Sequence, residues 1–311
     1  MKQLTAYYGI SRQAFYKAET QQQEKTLSEQ EALQMVLSIR YRQPQLGVRK
    51  LYHLLSEALQ KRPYKIGRDA LFTLLRDHSL LVKTKRRYCT TTDSKHSSKV
   101  YPNLLKDKEI TDIRQVLISD ITYIRRQGGF SYLSLVSDLY SRKILGYSVT
   151  DNLSVSGPIA ALKMSFRHIP QSLRHNMIHH SDRGAQYASN DYTKILDANK
   201  IRGSMSAKGN PYDNAVMERM IGTLKREFLL HQTFPDRESI HHVVKQAVQI
   251  YNEERPHTSL HYQTPAAVYE EKDKMCSIKN EQKTKKICQP ILGLDINSPL
   301  EIGRASCRER V

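Results

Sequence analysis

No stretch of this 311-residue chain is apolar over the roughly 18 consecutive residues that a membrane span requires. The first residues, MKQLTAYYGISR, also lack the apolar core of a signal peptide, so the expectation is a cytoplasmic protein. Cysteine is sparse: Cys89, Cys276, Cys288 and Cys307 are far apart and form no CxxC pair, which supports neither a disulfide framework nor a zinc finger. The doublets His179-His180 and His241-His242 lack metal-ligand spacing as well. Acid is in deficit, with 31 Asp+Glu against 49 Lys+Arg and a formal charge of +18. Residues 1–108 hold +12 of that surplus, 21 basic side chains against 9 acidic. A polyanion is the natural partner of such a surface, because each neutralised phosphate releases counterions.

Three of the scarce acids fall at informative places. Asp120 interrupts VLISDITYI, a β-branched run from Val116 to Ile124 that reads as a buried strand. A bare carboxylate there is costly unless it is paired or bound to metal. Asp182 follows the apolar segment 176–180 at the mouth of a strand that breaks into SDRGAQY, and ligand sites of α/β sheets favour such strand ends. Glu218 follows with 35 residues between, on a predicted helix with Asn210 as N-cap, Pro211 at the first position and Asp213 in the first turn. Met217, Ile221, Leu224 and Phe228 form its apolar stripe, and Glu218 shares a face with Lys225. An all-oxygen site of this kind suits Mg²⁺, with Mn²⁺ as a substitute. Two such ions about 3.5 to 4 Å apart can activate one oxygen and stabilise another during phosphoryl displacement.

Asp120 in SDITYI, Asp182 in HHSDRGAQY and Glu218 in SMSAKGNPYDNAVMERMIGTLKRE, with YNEERPHTSL at 251–260, resemble the DDE transposases of the IS3 insertion-sequence family, relatives of retroviral integrases. The resemblance covers residues 1 to about 270. The chain departs from the family pattern in having no Trp, reading Leu117-Ile118-Ser119 before the first acid, and in Arg219 after the Glu. The resemblance implies an RNase H-like integrase core, a mixed five-stranded α/β sheet with helices, preceded by a helical helix-turn-helix-type domain. It also implies Asp120, Asp182 and Glu218 as catalytic metal ligands. Implied partners are double-stranded DNA of the element ends and target, and an upstream-frame helix-turn-helix protein or its frameshift fusion. A homo-oligomer on DNA and association with the nucleoid when bound follow from the same likeness.

In chain order, TAYYGISRQAFYKAE resembles a short helix-turn-helix, with Gly9 in the turn, Ser11 as cap, and Arg12, Gln13, Tyr16 and Lys17 on the reading helix. An ordinary helical hairpin fits the same residues. Further helices are predicted over 29–42, from Val48 and from Gly67, and GVRKL and GRDALF resemble the additional helix-turn-helix region of IS3-type proteins. Lys83 to Val100 is a basic linker whose Arg86 and Arg87 could track phosphates. The core is expected as three antiparallel strands, a helix, then strand, helix, short strand and helix, with Gly128-Gly129 in the first hairpin and Asp138 serving a turn. Gln186 and Tyr187 suit hydrogen bonding to or stacking on an unpaired base, a structural turn being the alternative for Tyr187. Lys208 and Lys225 suit scissile-strand phosphates.

These readings divide the chain into a DNA-binding region with linker (1–98), a catalytic core (99–270) and a Lys-rich tail without periodicity (271–301). The last ten residues, IGRASCRERV (302–311), resemble the translation of a sequencing adaptor and are set aside. The expected activity is metal-dependent cleavage and strand transfer at the ends of an insertion sequence. The rival readings are a non-catalytic DNA-binding regulator and an RNase H-like nuclease that only hydrolyses.

Overall fold

The computed structural model describes residue 7 and residues 9–82, 101–106, 108–206 and 214–287, the last eleven by backbone alone. The chain divides into two units, residues 1–272 and 273–311. Of the second unit, the described part is the continuation of one helix to Ile287.

The first unit opens with α1 (Arg12–Arg42), capped by Ser11, whose Oγ accepts from the Ala14 N–H at 3.0 Å. The expected short reading helix and the separate helix over 29–42 are one continuous helix of 31 residues. The physical reason is the absence of a breaker. Residues 18–30 contain neither Gly nor Pro, and the hydroxyls of Thr20 and Thr26 bond back to the carbonyls of Tyr16 and Gln22 within the helix. Only Ser28, Ala32 and Val36, one residue per turn, are buried along it. They pack with α2 (Val48–Gln60) and α3 (Arg68–Asp77), which start after Gly47 and Gly67, around Leu51, Leu55, Leu59, Leu71 and Leu75. Arg12 and Lys17 lie on the exposed first half of α1.

The larger part is a sheet with helices on both faces. Its strands are β1 (Val116–Arg126), β2 (Gly129–Asp138), β3 (Ile144–Thr150), β4 (Ile178–Ser181), β5 (Arg202–Met205) and a short β6 (Thr233–Phe234). The order is β3-β2-β1-β4-β5, with β6 paired to the far end of β1 as an addition to the five expected strands. β1–β2 and β2–β3 are antiparallel, whereas β1–β4 and β4–β5 are parallel. This is an RNase H-like arrangement with β1 at its centre. Between the strands run α4 (Ser156–Ser165), the single-turn α5 (Gln171–Arg174), α6 (Asn190–Ala198), α7 (Ala215–Glu227), α8 (Arg237–Glu253) and α9 (Pro265–Ile287). The last of these carries the chain as a helix through the Lys-rich segment past residue 270.

Alternation along β1 separates two cores. Val116, Ile118 and Ile124 face Met217, Ile221 and Leu224 of α7 and Ile240, Val244 and Val248 of α8. Leu117 faces the other way, with Leu145, Ala161, Leu162, Tyr192 and Leu196. Asp138 closes the β2–β3 turn: its carboxylate accepts from the Ser141 N–H and hydroxyl at 2.8 and 2.7 Å and from the Arg114 N–H at 2.8 Å. Burial pushes this carboxyl up against those bonds.

The second face depends on one backbone contact. At Gly146 of β3, a Cβ would stand 2.0 Å from the Ala161 carbonyl oxygen and 2.8 Å from the Ser165 nitrogen of α4. Helix and strand meet there with no room for a side chain, and neither backbone can yield cheaply. Gly146→Ala is expected to destabilise the fold by at least about 3 kcal/mol, seen as a lower urea midpoint. Gly67→Ala, where a Cβ would meet nothing within 4 Å, should move it little.

Candidate active site

The pairing of β1 with β4 brings two of the three acids together. Val116 lies opposite Ile178 and Ile118 opposite His180, an offset of 62 residues. Carried two residues further, the same offset sets Asp120 beside Asp182, just past the C-terminal end of β4. Parallel neighbouring strands lie about 4.8 Å apart. Asp120 also shares the parity of Ile118, hence the face covered by α7. Asp182 is turned by its own loop: Oδ1 accepts from the Gly184 N–H at 3.0 Å, and Arg183 Nε donates to the Ser206 carbonyl at 2.8 Å.

Glu218 is in the first turn of α7, directly after the buried Met217. The described helix runs from Ala215 with Asn214 as its cap residue, and the expected start at Asn210, Pro211 and Asp213 lies outside the described residues. Glu218 is exposed, and its charge contributes to the field at Asp120. Lys225, two turns along, places its Nζ 4.4 Å from the centroid of the Tyr123 ring on β1. From there it opposes the acids electrostatically.

The balance of these effects is visible at Asp120. Burial pushes its carboxyl up to about 8, and the charges of Asp182 and Glu218 add to the shift. The Ile121 N–H, which donates to Oδ1 at 2.7 Å, and Lys225 pull the other way but do not overcome it. The residue keeps some exposed surface, so its carboxyl is deep without being sealed from solvent.

Around the acids, Tyr187 is 3% exposed and packed against His179 and Tyr192, so its ring has no face to offer a base. Its hydroxyl lies close enough to Asp120 and Asp182 to feel their charge, yet has no hydrogen-bond partner. Gln186 donates from Nε2 to the Leu153 carbonyl at 3.1 Å. The histidine doublet on β4 is internal: His179 Nε2 meets Ser119 Oγ at 2.7 Å and the Tyr192 hydroxyl at 2.9 Å, while His180 bonds Ser204 and Ser206. Lys208, Arg86 and Arg87 lie outside the described residues.

Carboxylate oxygens with an orphaned hydroxyl beside them match a hard divalent cation in donor chemistry, and a cation would relieve the repulsion that raises Asp120. Among the described residues no three acid, histidine or cysteine side chains already enclose a common point. Asp120 and Asp182 are the pair the fold brings together, and Glu218 stands at the rim.

Sequence reasoning passed over the support beneath α7. Glu227, in its last turn, receives a two-pronged bond from Arg255, Nε and Nη2 each at 2.7 Å, and a third from Lys50 Nζ of α2 at 3.3 Å. Arg255 is 5% exposed and its Nη1 lies 2.9 Å from His257 Nε2. Burial, then the Arg255 charge, hold His257 down to about 3, so the ring is neutral and accepts from Arg255. Burial works to raise Glu227, but the bonds and charge of Arg255, with Lys50, outweigh it and leave this carboxyl below its ordinary range. Lys50 is itself drawn down by burial and by Arg255, so the Arg255 fork dominates the cluster. The Arg-Pro-His of YNEERPHTSL was the available signal, since a buried Arg requires a carboxylate.

Two models, each described as an integrase core domain, match residues 113–211 and 199–265. The insertion element IS600 31 kDa protein of Shigella sonnei is 35% identical over 275 residues, 87% of this chain and 98% of the relative. Transposase InsF of insertion sequence IS3A from Escherichia coli K12 is 34% identical over 208 residues, 66% of this chain and 71% of the relative. A solved HTLV-2 integrase catalytic core domain in complex with magnesium aligns with 51% of this chain and 97% of its own at 14% identity, with a TM-score of 0.40, too distant to bear on the site.

Removing the charge of Glu227 leaves Arg255 buried and unpaired. Glu227→Gln should cost on the order of 3 kcal/mol at neutral pH. A carboxylate whose folded-state pKa is depressed contributes stability above its unfolded pKa and loses it as pH falls through the folded one. The gap between wild type and Glu227→Gln, followed by thermal melts, should therefore close on acidification below the usual carboxylate range.

Proposed function

Because the chain belongs to the IS3 family of insertion-sequence transposases, whose integrase core it carries, we propose that Asp120, Asp182 and Glu218 are the acids through which it cuts and joins DNA. The observation that supports this most directly is the parallel register of β1 and β4, whose offset continued two residues brings Asp120 level with Asp182, with the charge of Glu218 felt at Asp120. Transposases of this class are polynucleotidyl transferases. In the first step a water oxygen attacks the phosphodiester at the element end in line, the P–O3′ bond breaks, and a 3′-hydroxyl is released. In the second, that 3′-hydroxyl attacks a target phosphodiester, one P–O bond forming as another breaks. No protein–DNA covalent bond is required.

Asp120, Asp182 and Glu218 would hold the divalent metal, as two Mg²⁺ ions or Mn²⁺ in their place. Metal so held supplies activation of the attacking oxygen and charge stabilisation at the leaving one. The chain's own residues do the rest. The buried Asp120 and the loop-fixed Asp182 present oxygen donors whose positions are set by the sheet. Lys225, over Tyr123, faces the phosphate side of the site with a fixed positive charge. Tyr187, held protonated by burial and by its neighbours, offers a hydroxyl donor beside the two aspartates. Gln186, Lys208, Arg86 and Arg87 extend the DNA contact, and α1 with Arg12 and Lys17 projects a basic end toward the element's terminal repeats. Assembly on DNA as an oligomer, with the upstream-frame product or as its fusion, belongs to the same reading. No helix among the described residues is long and apolar enough to cross a membrane.

Labelled DNA carrying the element's own ends, with Mg²⁺, should be joined to target DNA by the wild type, alone or as the upstream fusion. Asp182→Asn should abolish joining, by at least about a hundredfold, while leaving DNA binding intact. Hydrolysis without joining would point to a nuclease, and binding without chemistry in both forms of the wild type to a regulator. Mg²⁺ should also raise the melting temperature of the wild type and fail to raise that of Asp182→Asn, since only a binder of the native state shifts it.

A further inference from the structure

Helix α2 turns two faces in opposite directions. Val48, Leu51, Leu55 and Leu59 are buried in the helical core. Arg49, Tyr52, His53 and Ser56, at spacings of three, one and three, form the other stripe. With Arg68 from the first turn of α3 and Tyr262 from the loop after Arg255, that stripe lines an open cleft of about 400 Å³. The volume falls in the range of small-ligand sites, about 300 to 1,000 Å³.

We propose that this cleft binds a phosphodiester of the DNA strand, gripped from the helical module and from the core at once. The proposal rests on the transposase reading and adds a subsite to it. Its chemistry is one-sided: two guanidiniums, an imidazole and three hydroxyl-bearing side chains line the cleft, and no carboxylate does. Arg49 is exposed and no acid among the described residues pairs with it. Arg68 is held by Asp69 through Nε at 2.8 Å and Nη2 at 3.3 Å, which orients the fork and leaves the rest of its five N–H donors unused. A planar fork fixed on one edge and free on the other suits an anionic oxygen.

The sixth lining residue is placed at a cost. His261 and Tyr262 are consecutive non-glycine residues in left-handed backbone, φ 52° and 64°. The loop is kept there by the Tyr262 N–H donating to the His257 carbonyl at 2.8 Å and the Gln263 N–H to the Leu260 carbonyl at 2.9 Å. The result is that the Tyr262 ring stacks on His53 of α2, centroids 4.6 Å apart and planes 19° apart. Strained backbone of this kind persists where the surroundings over-determine it, and it clusters at ligand clamps. Lys50, next to Arg49, is already committed to Glu227 of α7. A strand lying in the cleft therefore rests on the same seam that ties the helical module to the Glu218 helix.

The test uses the full chain and a fluorescent duplex carrying the element's terminal repeat, with anisotropy measured across a salt series. The doubly substituted Arg49→Gln, Arg68→Gln protein should show a dependence of log K on log salt shallower than wild type by about 1 to 2, equally on specific and random duplex. Its melting temperature should be unchanged, since both residues are exposed. An unchanged slope overturns the proposal. Independently of any effect on folding, a Ser56→Cys protein should form a disulfide with DNA bearing a thiol tethered to a backbone phosphate, and Glu57→Cys, next along the helix, should not. Equal capture at both positions overturns it as well. Wild type that joins DNA while the double variant keeps its slope defeats the cleft alone; wild type and fusion that fail to bind any DNA defeat the transposase mechanism with it.

Discussion

A carboxylate in the middle of the central strand of a two-faced sheet is the constraint to which the rest of the structure answers. Asp120 on β1 follows four buried residues, Val116 to Ser119, and burial with two neighbouring acids keeps its proton on into the neutral range. Such a group is a liability in a core of hydrocarbon. The fold accommodates it by ending β4 at Ser181, so that the chain turns away at Asp182 and opens the sheet on the side of α7. The opposite face stays closed by Ser119, His179 and Tyr192, a polar cluster whose members satisfy one another. Both faces of β1 thus pack a core, and the acid shares the one that Val116, Ile118 and Ile124 present to α7 and α8.

The second dependence is on α7, whose two ends do different work. Its first turn carries Glu218 at the rim of the acids, and its last turn carries Glu227 between Lys50 and Arg255. A carboxylate locked by a buried guanidinium fixes the axial position and the roll of the helix, and both determine where Glu218 can reach. Because Lys50 belongs to α2, the same carboxylate ties the helical module to the catalytic helix. Arg42, at the end of α1, forks onto Glu254 beside it and strengthens the same seam from the surface.

Local signals in the sequence proved accurate wherever they acted locally. Ser11 caps α1, Gly47 and Gly67 precede α2 and α3, and Gly128 and Gly129 turn the first hairpin with positive φ. The strands of the core follow the expected order, because β-branched runs between turn residues are legible by themselves. The failures have physical causes of the same scale. The mostly polar residues between the expected reading helix and the helix over 29–42 hold no breaker, and polarity alone does not end a helix. The Lys-rich segment after residue 270 is helical for the same reason. Of the two readings open for Tyr187, stacking on a base and a structural turn, the tertiary contact with His179 and Tyr192 favours the second.

By itself, then, the sequence determined which residues are acidic, where several caps and the first hairpin turn fall, and that the basic surplus is N-terminal, since caps, turns and periodicity act within about one helical turn or one hairpin. Tertiary structure decided what faces what. The offset that sets Asp120 beside Asp182 is a property of the β1–β4 ladder, and a slip of one residue would turn the acids to opposite faces. Lys50 and Glu227 are 177 residues apart and Arg255 and Glu227 are 28 apart, distances over which no local rule reaches. Those pairings exist because burying both faces of one sheet favours the register in which the apolar residues of β1 are covered on both sides and the buried Arg255 meets a carboxylate.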